Sequence, residues 1–219
     1  MADEKLRKDA ELNRQRLLTA GREVFASRGL DATLNDVAHH AGVGVGTAYR
    51  RFSNKEELIE AIFEQQVDEL ENILHDALAA PDAWEGLVDY FERSIAVQVN
   101  DRGLAQVLSG RWMPKERSDW SRDKLAPLVN QLVERAQEQG KVRADVVGTD
   151  LIFAEIGIIA ISEAAHDNST STEKTPEEQV YRRHLWLYLD SLRSDRSREL
   201  VLPAPALSTE ETHRRLTDS

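Results

Sequence analysis

The chain has 219 residues, of which 41% are hydrophobic and 6% aromatic, enough for one or two folded domains with a core, which excludes disorder throughout. It carries 28 Lys and Arg against 39 Asp and Glu, a net charge of −11. The whole molecule is therefore not a general polyanion binder, and any nucleic-acid site must be local. The absence of Cys excludes a disulfide scaffold, a thiol nucleophile and a thiolate-bound metal centre.

Neither the first residues nor the most apolar segment of the chain is typical of a membrane protein. The first residues, MADEKLRKDAE, are charged and contain no apolar run, unlike a secretory signal. The most apolar segment, residues 151–165, carries Glu155 and Glu163 and is shorter than the roughly 20 residues that a spanning helix needs. We therefore expect a cytoplasmic protein with no membrane contact.

Charge is distributed unevenly along the chain. Residues 1–55 contain ten basic and seven acidic side chains, whereas the remainder is strongly acidic. Residues 37–55 contain Arg50, Arg51 and Lys55 and no acid. This gap is either a chance feature of a solvated face or a local docking surface for a polyanion.

Apolar residues recur at spacings of three and four, which predicts an all-α fold. The first helix is expected at residues 14–27 and ends at Gly29. Thr33 opens a short second helix with Asp36 as its capping-box partner, Gly42 ends it, and a third helix follows at 45–51. Two short helices joined by a glycine-containing turn are typical of a helix-turn-helix, here completed by the first helix into a three-helix head.

A long fourth helix is predicted at 55–79, with Ser53 and Glu56 as its capping box. At 1.5 Å per residue it spans about 37 Å, long enough to connect two bodies. After Pro81, further helices are expected at 83–100, 103–112, 122–139, 149–166 and 176–194, with a polar loop at 167–175. The expected domains are an N-terminal arm and helix-turn-helix at 1–55, an antiparallel helical domain at 56–200 and a polar tail at 201–219.

Three glycines, Gly42, Gly44 and Gly46, alternate with valines between the second and third helices. A phosphate-binding loop of a dinucleotide site would follow a strand and have a different spacing, so nucleotide binding is disfavoured. The same glycines suit the start of a recognition helix, where the backbone must come close to DNA. Gly46 costs its helix about 1 kcal/mol in propensity, which indicates a reason other than stability.

Residues 33–58 resemble the DNA-binding head of the TetR family of bacterial transcriptional regulators. The matching elements are Thr33, Val37-Ala38, Ala41-Gly42-Val43, Gly46-Thr47-Ala48-Tyr49, Phe52 and Lys55-Glu56-Glu57-Leu58. The resemblance covers about 45 residues when Phe25 and Gly29 are included, and beyond Leu58 it is one of architecture only.

The resemblance implies a role for each matching residue. Phosphate contacts fall on Thr33, Tyr49 and Lys55, with Arg50 also assigned to phosphate, and base-edge contacts fall on Asn35, Val45, Gly46, Thr47 and Arg51. The chain departs from the family at Gly44, where Ser is common, and at Val45, where a polar residue is frequent; Val can contact only an apolar group such as a thymine methyl. Tyr49 could instead brace the core of the head.

The resemblance further implies a homodimer on a palindromic operator and release by a small-molecule effector. Helices 149–166 and 176–194 would form the dimer interface, since the first is apolar nearly all round. The candidate effector residues are Trp84, Phe91, Trp112, Trp120, Phe153 and Glu155. The aromatic residues could equally be core, and Glu155 could face a ligand cation, an Arg across the interface, solvent or the dimer rim.

Two other classes of protein fit the sequence less well. An enzyme is disfavoured because the chain lacks HExxH, GxSxG, Walker and kinase motifs, and no cofactor or metal is implied. An architectural DNA-binding protein without an effector remains an alternative. The expected function is a TetR-type transcriptional repressor.

Overall fold

The computed structural model describes residues 2–100, 115–165, 177–195 and 202. Eight α-helices lie in these ranges. They are α1 Ala2–Arg28, α2 Leu34–His40, α3 Val45–Arg51, α4 Lys55–Ala79, α5 Ala83–Asn100, α6 Lys115–Glu138, α7 Gly148–Ala164 and α8 Glu177–Leu192. Extended pairing in the same ranges is limited to an isolated bridge between Val142 and Arg193, which confirms the prediction of an all-α fold.

The predicted bounds of the helices are confirmed where glycine, proline or capping residues mark the helix ends. α3, α4 and α5 begin and end at the predicted residues. Gly29, Gly42 and Gly140 all have left-handed φ values of 63–67°, as expected of glycines that end helices. The predicted helix at 103–112, the loop at 167–175 and the tail from 201 lie outside the described residues, apart from residue 202.

Two predicted helix starts are wrong. α1 begins at Ala2 rather than at residue 14, and α6 begins at Lys115 rather than at 122, which puts Pro127 in the middle of the helix. Both added segments are mostly polar in sequence, but they are rich in good helix formers. A segment with few apolar residues gives little periodic signal.

The start of α4 corrects the predicted capping box by one residue. Asn54 caps the helix, since its Oδ1 accepts a hydrogen bond from the Glu57 N–H at 2.8 Å. The Glu57 carboxylate in turn accepts from the Ser53 N–H at 2.6 Å. The Ser53 and Glu56 pairing is therefore replaced by Asn54 with Glu57.

The described residues divide into two compact units, one that contains 2–69 and 115–121 and the other 70–99, 122–165 and 177–195. Boundaries between the units fall inside α4 and inside α6, so both helices contribute residues to both units. Within the described part of the chain, no helix is both long enough and apolar enough to cross a membrane.

The first unit buries the apolar stripes of α1, α2 and α3 against the first half of α4. The buried side chains of α1 include Leu17, Leu18, Val24 and Phe25, and those of α2 are Leu34, Val37 and Ala38, while Ala41 after α2 is half-buried. Phe52 is 3% exposed and closes the far end of α3. A Cβ on Gly21 would lie 2.8 Å from Ile62 Cδ1, so α1 and α4 approach more closely than a larger residue would allow.

The second unit has a separate core formed by α5–α8 and the end of α4. Its fully buried side chains include Phe91, Leu87, Ile95, Leu132 and Leu74. A cation–π contact adds to this packing, with the Arg193 guanidinium 3.9 Å from the centre of the Trp84 ring.

Candidate nucleic-acid interface

Hydrogen bonds fix both ends of α2, and those at its C-terminal end hold the turn into α3. Thr33 Oγ1 accepts from the Asp36 N–H at 3.2 Å, and the Asp36 carboxylate accepts from the Thr33 N–H at 2.8 Å, which confirms the predicted capping box. The hydrogen bonds from the Thr33 hydroxyl and N–H lower the pKa of Asp36. At the other end, Gly42 donates to the His39 carbonyl at 3.2 Å and Val43 to the Ala38 carbonyl at 2.9 Å. These two bonds form a Schellman motif that sets the entry of the chain into α3.

The outer side of α3 is the side opposite its buried residues. Ala48 and Phe52 face the core. At about 100° per residue, the opposite side is centred on Arg50, with Gly46 and Thr47 on either side of it. Arg50 donates a hydrogen bond to Thr47 Oγ1 at 2.9 Å. The outer side of α3 is therefore cationic and includes an exposed glycine.

Gly46 is not required by the packing of the first unit. A Cβ at this position would meet no atom within 4 Å, and its φ lies outside the left-handed region. Gly44, at the N-cap of α3, has no side chain to cap the helix, and a Cβ there would meet only Thr47 Oγ1 at 3.8 Å. The described residues thus give no internal reason for glycine at position 46.

The remaining predicted DNA contacts differ in how far they are exposed. Tyr49 is 47% exposed and does not brace the core, contrary to the alternative reading. Asn35 is exposed at the start of α2, while Val45 and Lys55 are half-buried. Arg51 lies on the other flank of α3, where its guanidinium is 3.7 Å from the Glu11 carboxylate of α1.

Two polar side-chain contacts that the sequence did not reveal join α2 to the end of α1. His40 Nε2 lies 2.6 Å from the Glu23 carboxylate, and Arg28 lies 3.5 Å from Asp36. Pairs so far apart along the chain follow no helical spacing, so no local pattern could have identified them.

The candidate effector residues are not brought together. Trp84 and Phe91 are buried in the core of the second unit. Trp120 belongs to the first unit, where it packs 6.4 Å from Phe63 and is 36% exposed. Phe153 is 74% exposed, and Trp112 lies outside the described residues.

Glu155 is buried rather than solvent-facing. Its Oε2 accepts a hydrogen bond from the Tyr90 hydroxyl at 3.0 Å and its Oε1 accepts one from Gln98 Nε2 at 2.8 Å. Burial raises the pKa of Glu155. Burial and the neighbouring Glu155 raise the pKa of Tyr90 as well.

The side of α7 away from Glu155 is apolar and exposed. Phe153 is 74% exposed, Ile156 57% and Ile152 38%, and Leu187 of α8 is 43% exposed. Large apolar side chains clustered on one surface are typical of an interface.

Models of two protein families match the chain. Residues 17–62 match "Bacterial regulatory proteins, tetR family", and residues 82–193, just over half of the chain, match "Transcriptional regulator SbtR-like, C-terminal domain". The first match covers the helix-turn-helix and the second lies within the helices after α4.

The curated relatives carry the names of transcriptional regulators. The HTH-type transcriptional regulator SrpR of Pseudomonas putida is 29% identical over 139 residues, which cover 61% of this chain and 65% of the relative. The HTH-type transcriptional regulator SAR0097 of Staphylococcus aureus is 39% identical over 83 residues, which cover 36% of this chain and 43% of the relative. The chain therefore spans less than two thirds of the length of these relatives.

Solved structures match over most of their length. A TetR regulatory protein from Mycobacterium vanbaalenii is 28% identical, with a TM-score of 0.62, and the match covers 86% of this chain and 99% of that chain. The TetR regulator SCO0520 from Streptomyces coelicolor is 31% identical, with a TM-score of 0.61 and coverage of 82% and 98%. The relatives are regulators and not enzymes, and the chain belongs to the TetR family of bacterial transcriptional regulators, with an N-terminal helix-turn-helix DNA-binding domain and a TetR-type C-terminal domain.

Proposed function

We propose that this protein is a homodimeric repressor that binds a palindromic operator through α3 and is released by a small-molecule effector. The observation that carries the DNA-binding half of this proposal is the outer side of α3, where Gly46 and Thr47 flank Arg50 and no internal contact requires the exposed glycine. An exposed glycine permits the helix backbone to lie close to the groove of DNA.

Base-edge contacts are assigned to Asn35, Val45, Gly46, Thr47 and Arg51. An Asn amide can pair with adenine and an Arg guanidinium with guanine, each bidentately and each worth about 1–3 kcal/mol of discrimination. The Arg51 contact with Glu11 does not oppose this role. Both side chains are largely exposed, and such surface pairs contribute at most about 1 kcal/mol.

Phosphate contacts are assigned to Thr33, Tyr49, Arg50 and Lys55, and Gly44 allows close approach of the turn. The Thr33 hydroxyl already donates to the Asp36 carboxylate at 2.5 Å, so this hydroxyl would exchange one anionic acceptor for another on binding DNA. Contacts of this kind fix orientation on the duplex and carry no sequence information directly.

The exposed apolar side of α7 and α8 supports a dimer with a second copy of the chain. A two-fold interface uses the same surface on both copies, so Phe153, Ile156 and Leu187 would be covered by their counterparts. Helix-turn-helix dimers place two heads on half-sites about one DNA turn, 34–36 Å, apart.

Release by an effector follows from thermodynamic linkage between ligand binding and operator binding. A ligand that prefers the conformation with wrongly spaced heads lowers operator affinity by the same factor by which DNA lowers ligand affinity. α4 is the candidate lever because it is one continuous helix that contributes to both units. In the alternative, an architectural DNA-binding protein, no small molecule changes DNA affinity.

DNase footprinting of the purified protein on the DNA upstream of its own gene tests the proposal. We expect one protected region that contains an inverted repeat with half-site centres about 10 base pairs apart, or a multiple of this spacing. Protection spread evenly along the fragment would contradict a sequence-specific dimer.

A further inference from the structure

The second unit buries a polar cluster in its apolar core. Tyr90, Ser94 and Gln98 follow one another at intervals of four along α5, which places them on one line of the helix. Opposite this line is Glu155 of α7. Tyr90, Ser94 and Glu155 are at most 7% exposed.

The partners of the Glu155 carboxylate are all neutral. Tyr90 donates to one oxygen at 3.0 Å and Gln98 to the other at 2.8 Å, while the hydroxyl of Ser94 donates to the Phe91 carbonyl at 3.4 Å. Among the described residues, no Lys, Arg or His contacts Glu155. An ionised carboxylate buried without a cation is unfavourable, and well-packed apolar residues of similar size would serve stability at least as well.

The Tyr90 ring, whose hydroxyl contacts the carboxylate, is one of three aromatic rings that pack together in this core. The centre of the Phe91 ring is 5.4 Å from that of Tyr90 and 5.8 Å from that of Tyr188. A carboxylate attracts a cation directly, and ring faces attract it through their quadrupoles. An anionic ligand would instead face repulsion from Glu155 whenever the carboxylate is ionised.

We propose that the effector is an organic cation, an ammonium or guanidinium group on an apolar body, whose charge pairs with the Glu155 carboxylate. This inference rests on the proposed function, which assigns effector binding to the C-terminal domain. Tyr90 and Gln98 hold the carboxylate in place, and the cation supplies the positive charge that these neutral donors lack.

Two matched probe pairs test this inference on the full-length protein: 2-phenylethylamine with 2-phenylethanol, and 1-naphthylmethylamine with 1-naphthalenemethanol. Within each pair the molecules have nearly the same shape, and only the amine is charged at pH 7.5. Binding is measured by calorimetry, and the effect on DNA by titration of the footprinted operator with and without each probe. We expect at least one amine to bind about tenfold more tightly than its alcohol and to weaken operator binding.

Glu155→Gln keeps the size and most hydrogen bonds of the side chain but removes its charge. We expect it to lose the preference for the amine over the alcohol while still binding the operator. Glu163→Gln, the same change at an exposed residue of α7, should retain the preference. A thermal melt of each variant without probe establishes that it is folded.

The outcomes separate this inference from the proposed function. If the wild-type protein without any probe did not bind the operator specifically, that result would contradict the proposed function itself. Specific operator binding together with equal binding of amines and alcohols, binding of neither, or an unchanged amine preference in Glu155→Gln would overturn the assignment of a cationic effector.

Discussion

Gly46 is a residue that lowers the stability of its own helix. It is exposed near the start of α3, its backbone conformation is open to any residue, and a side chain there would meet nothing in the described structure. Glycine lowers the stability of a helix relative to alanine. We propose that glycine stands here because an external surface, the DNA, lies close to the helix.

Gly46→Ala should therefore separate stability from function. We expect the free energy of unfolding to rise by up to about 1 kcal/mol, whereas operator affinity falls because the new methyl group separates α3 from the DNA. Urea denaturation and fluorescence anisotropy with labelled operator measure the two quantities. A variant that gains stability and binds the operator as tightly as wild type would show that Gly46 does not lie against DNA.

Arg51 and Lys55 should respond differently to truncation, since one is assigned to bases and the other to phosphate. Arg51→Ala should reduce the difference in affinity between the operator and its single-base variants. Lys55→Ala should weaken binding to all of them and reduce the slope of log affinity against log salt by about 1.

Anisotropy titrations at several salt concentrations distinguish these effects, and Glu11→Gln controls for loss of the Arg51 ion pair. If Lys55→Ala relaxed sequence preference and Arg51→Ala changed only the salt slope, the two assignments would have to be exchanged.

At the scale of the helices, local signals predicted some elements and not others. α3, α4 and α5 were predicted because glycines, a proline and apolar periodicity mark their ends. The early starts of α1 and α6 were not predicted, since their first residues are mostly polar and give little apolar periodicity. The one-residue error in the capping box of α4 arose because Ser53, Asn54, Glu56 and Glu57 all suit a capping box, and only the backbone geometry chooses among them.

The candidate site was predictable to a similar extent. The exposed residues of α2 and α3 followed from the motif, but the contacts of Arg51 with Glu11 and of His40 with Glu23 depend on tertiary packing. The burial of Glu155 could not be decided because α7 is apolar nearly all round and has no preferred face. The spacing of Tyr90, Ser94 and Gln98 along α5 was the signal that could have indicated a buried polar partner.

Glu155 makes the stability of the α5–α7 packing depend on pH. Burial raises the pKa of this carboxyl above its ordinary value of 4.5, so the folded protein holds the proton more tightly than the unfolded chain. Its contribution is fully present below pH 4.5 and is lost as the pH rises through the folded-state pKa. Glu155→Gln should therefore become increasingly more stable than wild type as the pH is raised above 4.5.

Thermal melts of both proteins across this pH range measure the difference, and Glu163→Gln serves as the matched exposed control. A difference between Glu155→Gln and wild type that does not change with pH would show that Glu155 titrates alike in the folded and unfolded protein.

At the scale of the whole molecule, the exposed apolar side of α7 is the feature that a single copy leaves unexplained. Phe153→Asp should weaken the proposed dimer because it places a charge where two copies meet. The monomer should still fold, since Phe153 is 74% exposed and contributes little to the core. Sedimentation velocity should show a shift to monomer, with a parallel loss of operator affinity.

Leu12→Asp is the matched control, because Leu12 is 52% exposed and lies on α1, outside the proposed interface. It should leave the oligomeric state unchanged. A Phe153→Asp protein that sediments as wild type does would place the dimer interface elsewhere.

The most direct measurement is the affinity of the purified protein for its footprinted operator relative to a scrambled duplex of equal length, at one fixed salt concentration near 150 mM. Two copies of α3 that read base edges should bind the operator at least about 10³-fold more tightly, with one dimer per duplex and loss of most of this ratio when one half-site is scrambled. Equal affinity for the two duplexes would contradict the account, since it would leave only charge attraction between the head and the phosphate backbone.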